Sequence, residues 1–222
     1  MTWDAVVLAG GRAVRLGGVD KPGLRLDGRS LLDRALDATR EARCRVVVGP
    51  ARPAPDGVRF VLEEPRFGGP VAALAAGLAA LPGDASLVVV LAADLPAVEA
   101  ALPRVLAVAG MGRAGGLDRA RGLGEAAGPG DEKAADGWIG VDPDGRDQPL
   151  LAAYRADALT AALGALAMAR GGFGGASLRA LLDPLPLTRV PLPVALCADV
   201  DDPEDARRAG IPLPPVPTLE DA

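Results

Sequence analysis

Leu8-Ala-Gly-Gly-Arg-Ala-Val-Arg-Leu-Gly-Gly-Val-Asp-Lys21 follows directly on an apolar run at residues 4–9. The run is short enough for a buried strand. Gly10 and Gly11 at its end permit backbone angles closed to other residues and let a ligand approach the amides. Successive N–H groups in such a turn form an anion-binding nest. Arg12, Arg15 and Lys21 surround that nest with charge, and Gly17 and Gly18 keep its far side free of bulk. In open α/β proteins, ligands bind at the carboxyl ends of the strands. The spacing excludes a Walker loop, since neither Gly17 nor Gly18 is followed by Lys-Ser or Lys-Thr, and the dinucleotide Gly-x-Gly-x-x-Gly is also missing. A basic glycine loop with no ligand is the competing reading.

Outward from this loop, apolar runs at 45–49, 58–62 and 86–92 alternate with helix-like stretches at 30–42, 70–81 and about 97–109. Ser30 with Asp33 fits a capping box, and Pro70 suits the first position of its helix. This rhythm predicts a three-layer α/β/α, Rossmann-like, mainly parallel sheet with right-handed crossovers. Residues 110–136, rich in Gly and Ala, read as a surface loop. Trp138–Val141 and Pro149–Tyr154 flank the turn-rich Asp142–Asp147 and predict a small added β-hairpin or a pair of sheet-edge strands. Helices follow at 156–169 and 175–182, then a strand near 195–199. Asp202 and Pro203 open a short helix that Gly210 ends. One domain over 1–210, with a loose proline-rich tail at 211–222, is the expected organisation.

The 222-residue chain carries a net charge of −5 and has no histidine. The charge argues against a nucleic-acid partner, which needs a basic surface. The missing histidine excludes imidazole catalysis and Ser-His-Asp chemistry. Catalysis must run on carboxylates, Lys, Arg, backbone amides or a bound metal. Cys44 and Cys197 lie far apart without metal-site spacing and read as core thiols of a reducing compartment. No signal peptide or membrane span is visible, so a cytoplasmic protein is expected. Asp94 ends an apolar strand and precedes Leu95-Pro96. A carboxylate there can meet the glycine loop across one crevice and hold Mg²⁺ against phosphate oxygens, or it can cap the helix near 97.

Leu8-Ala-Gly-Gly, Arg15-Leu-Gly and Asp20-Lys21, with Gly69-Pro-Val-Ala-Ala-Leu, Ala92-Ala-Asp-Leu-Pro96, Gln148-Pro-Leu, Tyr154-Arg155 and Asp199-Val-Asp-Asp-Pro-Glu-Asp205, resemble the molybdenum cofactor guanylyltransferase family in its order. The resemblance spans most of the chain. It implies a nucleotidyltransferase domain of the glycosyltransferase-A-like, nucleotide-diphospho-sugar transferase type that joins GMP from GTP to the phosphate of molybdopterin. On the matching positions it implies nucleotide contacts at Leu8, Ala9, Gly10, Gly11, Arg12, Lys21 and Asp94, with Arg15, Lys21 and Asp94 catalytic and Mg²⁺ on Asp94. Family members using guanine favour Leu-Ala-Gly-Gly, so Gly10 points to GTP. Glu63 or Glu64, after the third strand, is placed to contact base or ribose, or is a solvated turn charge. Asp199 stands as a second metal ligand or a cap for the terminal helix. This chain departs from the family there, with aspartate where asparagine is expected at Asp199 and Asp201. The family asparagine after the second strand is replaced around Ala51. Gln148 and Arg155 are assigned to the acceptor, with a surface salt bridge as the other reading of Arg155.

The missing histidine suits a phosphate acceptor. A phosphate monoester is largely dianionic at neutral pH, with a second pKa of about 6, and attacks without a strong base. Cytidylyl transfer, transfer to a sugar phosphate, and a nucleotide-binding regulatory protein without turnover are the alternatives.

Overall fold

The computed structural model describes residues 2–11, 13–111 and 135–214. Arg12, most of the 110–136 loop and the end of the proline-rich tail lie outside the described residues. The strands are β1 (Trp3–Leu8), β2 (Arg25–Leu26), β3 (Arg29–Ser30), β4 (Arg45–Val48), β5 (Val58–Val61), β6 (Leu87–Ala92), β7 (Gly137–Val141), β8 (Asp147–Arg155) and β9 (Leu187–Pro191). The helices are α1 (Leu31–Ala38), α2 (Pro70–Ala79), α3 (Val98–Val108), α4 (Ala156–Arg170), α5 (Leu178–Leu182), α6 (Val194–Cys197) and α7 (Pro203–Arg208).

Seven strands form one sheet in the order β5-β4-β1-β6-β8-β7-β9, and β2 pairs with β3 in a separate small hairpin. Among the described strands of the main sheet, β8 alone runs against the others. The chain steps outward from β1 to β4 and β5, then returns to place β6 on the other side of β1. That reversal opens a crevice at the carboxyl ends of β1 and β6, the usual ligand position of such sheets.

Alternation along each strand divides the core. Ala5, Val7, Val89 and Leu91 face a layer with Leu36 and Leu102 of α1 and α3. Val6, Val48, Val88 and Val90 face Leu74, Leu159 and Leu181 of α2, α4 and α5. A Cβ on Gly77 of α2 would stand 2.4 Å from Val6, so this glycine lets the helix lie close on β1. Ser30 and Asp33 form the expected capping box of α1, and Asp202 and Asp205 form one at α7. The three-layer, mainly parallel architecture stands as expected.

Three expectations are corrected. The hairpin of β7 and β8 is not an addition at the rim: β8 pairs with β6 and β7 with β9, so both strands are interior to the sheet. The last strand is Leu187–Pro191, and the stretch around 195–199 begins as the short helix α6. Pro191 sits at the end of an edge strand, where a missing N–H breaks no ladder bond, whereas Pro193 starts a new element. Finally, the tail is anchored where it begins. Ile211 is buried in a third cluster with Leu16, Leu24, Leu31, Val200 and Ala206.

That small cluster matters for the site. Leu16 belongs to the glycine loop, and Val200 and Ala206 belong to the C-terminal segment. Burying them together lays residues 199–201 beside the loop, a placement secured by the Val200 N–H donating to the Asp94 carbonyl at 3.2 Å.

Candidate active site

Two adjoining clefts open at the carboxyl end of the sheet. The first, about 610 Å³, is lined by the glycine loop from Ala9 to Pro22, by Gly49, Pro50 and Arg52 after β4, and by Leu62, Glu63, Arg66 and Phe67 after β5. The second, about 560 Å³, lies between the start of α2 and β8, with Pro70, Ala73, Leu95, Pro149, Leu150, Leu151 and Leu178 as apolar walls and Gln148 as an amide. Gly10, Gly11, Glu63, Phe67, Asp94 and Asp201 line both. The first cleft sets the cations Arg15, Lys21, Arg52 and Arg66 among the carboxylates of Asp20, Glu63, Asp94 and Asp201, and the second is largely apolar.

The backbone makes the junction accessible. Gly11 has φ 137, a conformation that side chains resist, so glycine is required there by the turn. Gly10 differs: an added Cβ would meet only the Val48 carbonyl at 3.8 Å, ordinary contact. Packing therefore does not demand glycine at position 10.

Lys21 is the centre of the charge network. Its Nζ donates to Asp201 Oδ1 and lies 3.6 Å from Asp94 Oδ2. Arg15 reaches Asp201 at 4.0 Å from an exposed position. Burial pushes the Asp94 carboxyl above the ordinary carboxylate value; Lys21 pulls it down, and Asp199 and Asp201 push it up again. Burial likewise raises Asp199, with Asp201 adding to the effect. Three aspartates around one lysine form a strongly acidic point that a further cation would relieve.

Among the described residues, no three or more Cys, Asp or Glu stand together as a self-sufficient metal site. Magnesium ordinarily takes one or two protein carboxylates and completes its shell with water and substrate phosphates. Asp94 with Asp199 or Asp201 is a partial set of hard oxygen donors of that kind. Both Asp94 and Asp199 line the second cleft, and Asp94 also lines the first.

The other expected residues separate. Leu8 lines the second cleft and Ala9 the first. Glu63 faces both clefts and accepts the Phe67 N–H at 2.9 Å, whereas Glu64 is exposed and lines neither of these two. Gln148 lines the apolar cleft. Arg155 does not belong to the site. It pairs with Leu87 at the opposite end of β6, about 20 Å from Asp94 by strand rise. There it is exposed and bonded to Asp157 at 3.0 Å, the surface salt bridge that the sequence left as its alternative. The antiparallel course of β8 explains this, since Gln148 and Arg155 occupy opposite ends of one strand.

Sequence reasoning passed over Arg52, Arg66, Phe67 and Asp201 as site residues. Arg52 donates to both carboxylate oxygens of Asp20, at 2.7 and 3.0 Å, and so ties the glycine loop to the end of β4. Nothing in its local spacing marks that role. Asp201 carried a signal, as a departure from the family asparagine.

A family model, the MobA-like NTP transferase domain, matches residues 5–185. The chain belongs to that family. Its domain is of the nucleotidyltransferase type, with the glycine loop after β1 and Asp94 after the neighbouring β6. The chain is 41% identical over 100 residues to a "Probable molybdenum cofactor guanylyltransferase" of Opitutus terrae. That alignment covers 43% of this chain and spans about half the length of the relative, 49%. Among solved structures, molybdopterin-guanine dinucleotide biosynthesis protein A of Archaeoglobus fulgidus has a similar fold: TM-score 0.57, 21% identity, 93% of this chain and 96% of that one. A 2-C-methyl-D-erythritol 4-phosphate cytidylyltransferase of Thermus thermophilus is comparably similar, with TM-score 0.61, 20% identity and 94% and 97% coverage. MobA-like NTP transferases thus share this architecture with cytidylyltransferases. No helix among the described residues is long and apolar enough to cross a membrane.

Proposed function

We propose that the protein transfers GMP from GTP to the phosphate of molybdopterin, with release of pyrophosphate and dependence on Mg²⁺. The observation that carries this reading is the meeting, at Asp94, of a charged cleft built on the glycine loop with Arg15 and Lys21 and a largely apolar cleft. The first suits a triphosphate on backbone amides, Arg15 and Lys21. The second suits an acceptor that lays flat ring faces on apolar walls and offers its polar edge to Gln148.

Asp94 and Asp199 would hold Mg²⁺, which would supply neutralisation of phosphate charge. The protein's own groups do the positioning. Lys21 exchanges its aspartate partners for triphosphate oxygens, and Arg15 follows from the rim. The Gly10 and Gly11 amides hold the phosphates, while Glu63 accepts from guanine's N–H donors or from ribose. Gln148 orients the acceptor. An acceptor phosphate oxygen then bonds to the α-phosphorus as the bond to the bridging oxygen of the β-phosphate breaks, and pyrophosphate departs with that electron pair. A dianionic acceptor needs no strong base, so alignment and charge cancellation are the main contributions.

The test is pyrophosphate release from GTP with purified molybdopterin and Mg²⁺. Release is expected only with acceptor and metal present, with GTP well preferred over CTP. Strong CTP preference overturns the base assignment, and release with sugar phosphates alone overturns the acceptor. Asp94→Ala separates an enzyme from a pure binder: turnover is expected to fall by about a thousandfold, the scale of losing one main charge-stabilising group.

A further inference from the structure

The chain has only six aromatic residues, three Phe, two Trp and one Tyr. Five are used in the core. Trp3 and Tyr154 are buried, Phe60 and Trp138 pack on one layer, and Phe173 packs on the other. Phe67 is the exception, 51% exposed and lining both clefts. Its backbone is held at φ 60, a left-handed conformation that is unfavourable for a bulky side chain. Its N–H is fixed by the Glu63 carboxylate, and the Arg66 guanidinium lies over its ring at 5.3 Å from the centroid. A phenylalanine kept exposed in a strained backbone at the meeting point of two clefts is not explained by core packing; such strain collects at ligand-binding sites.

The lining of the second cleft says which ligand this ring meets. Its walls are Leu, Pro and Ala, with Gln148 as the amide; of its carboxylates, Glu63, Asp94 and Asp201 also line the first cleft, and Asp199 lines the second alone. A polyhydroxylated sugar would leave hydroxyls unpaired against such walls. A flat heterocycle buries its faces there and offers edge groups to one amide. Building on the proposed acceptor, we infer that Phe67 is a specificity-determining residue that stacks on the acceptor's planar ring and selects it over non-planar phosphate esters. The Arg66 guanidinium over the ring restrains the phenyl where the two clefts meet.

The experiment measures pyrophosphate release for wild type, Phe67→Leu and Phe67→Tyr, varying molybdopterin and GTP separately. Leucine keeps bulk and backbone but lacks the ring. Phe67→Leu is expected to raise the KM for molybdopterin by about three- to tenfold, the range of an aromatic pair, while the GTP KM stays within about twofold. Phe67→Tyr is expected to restore the acceptor KM. An unchanged acceptor KM in Phe67→Leu overturns the assignment, as does a rise confined to GTP, which would place the ring under the nucleobase. If wild type itself releases no pyrophosphate with molybdopterin, the proposed acceptor has failed, and the stacking assignment with it. The wild type alone decides the acceptor, and the variants decide the ring.

Discussion

Lys21 Nζ and Asp201 Oδ1 lie 2.5 Å apart although 180 positions separate them in the chain. The pair holds the lysine at the junction of the clefts, where it also faces Asp94. A triphosphate therefore meets a cation that is already oriented, but it has to displace a carboxylate to engage it.

Two substitutions should pull in opposite directions. Lys21→Ala is expected to lower kcat/KM for GTP by about a hundredfold or more, the scale of removing one preorganised cation. Asp201→Asn removes the competing charge and should lower the GTP KM by about threefold at saturating Mg²⁺, since exposed pairs are worth up to about 1 kcal/mol. Steady-state kinetics at fixed acceptor concentration check both. A large rise in GTP KM for Asp201→Asn would mean that Asp201 helps bind the nucleotide rather than competing for Lys21.

Gly10→Ala isolates base selection. The protein has room for this Cβ, which would contact only the Val48 carbonyl at 3.8 Å. Unfolding in urea should therefore match wild type, within about 1 kcal/mol, as helps distinguish a site effect from a packing one. The GTP-to-CTP ratio of kcat/KM is expected to fall about tenfold, the discrimination one misplaced carbon commonly produces. An unchanged ratio would show that the glycine does not read base size.

The single tyrosine gives a clean optical test of the buried sheet. Burial raises the Tyr154 phenol far above its ordinary value of 10.0. Its O–H donates to the Pro149 carbonyl at 2.9 Å. The folded state thus holds the proton more tightly than the unfolded chain. Stability from this group is fully present below about pH 10 and is lost as pH climbs above the unfolded value. Tyrosinate absorbance should show no step near pH 10 in the native protein and a full step in denaturant. A native step near pH 10 would mean that the hydroxyl is open to solvent.

Asp4 tests the opposite end of the sheet. It is fully buried in β1 and accepts from Arg43 Nε and Nη2 at 3.1 and 2.9 Å and from the Cys44 N–H at 3.1 Å. Asp4→Ala leaves that end of β4 without its acceptor. Because Arg43 is one-third exposed and also bonds Asp84, the cost should fall near about 2–3 kcal/mol, below that of a fully buried broken pair. Chemical denaturation measures it, and a loss under about 0.5 kcal/mol would show that Arg43 resolvates freely.

Much of the framework was legible because it rests on short-range rules. Buried parallel strands read as continuous apolar runs, so β1, β4 and β6 appear in the residues themselves, while the edge strand β5 shows only as Val58, Phe60 and Val61 around the exposed Arg59. The capping residues Ser30 and Asp202 announce their helices, since they satisfy amides only three positions away. The C-terminal third was less legible. Leu187–Pro191 becomes a strand by pairing with β7 along its whole length, whereas Val194–Cys197 closes into the short helix α6. Strand formation is a pairing event, and short apolar segments do not state their partners.

The glycine loop carries its chemistry locally. Gly11 must be glycine for the turn, and the cations stand within a dozen positions of it, so a phosphate site after a buried strand follows from residue order alone. The rest of the site follows from distant packing. Leu16, Val200 and Ile211 share one small cluster, and burying them brings Asp201 to Lys21 and Val200 to the Asp94 backbone. The direction of β8 carries Gln148 into the cleft and Arg155 away from it. Hydrophobic burial across the whole chain, and the orientation of one antiparallel strand, select the neighbours of that loop; no spacing along the sequence encodes either.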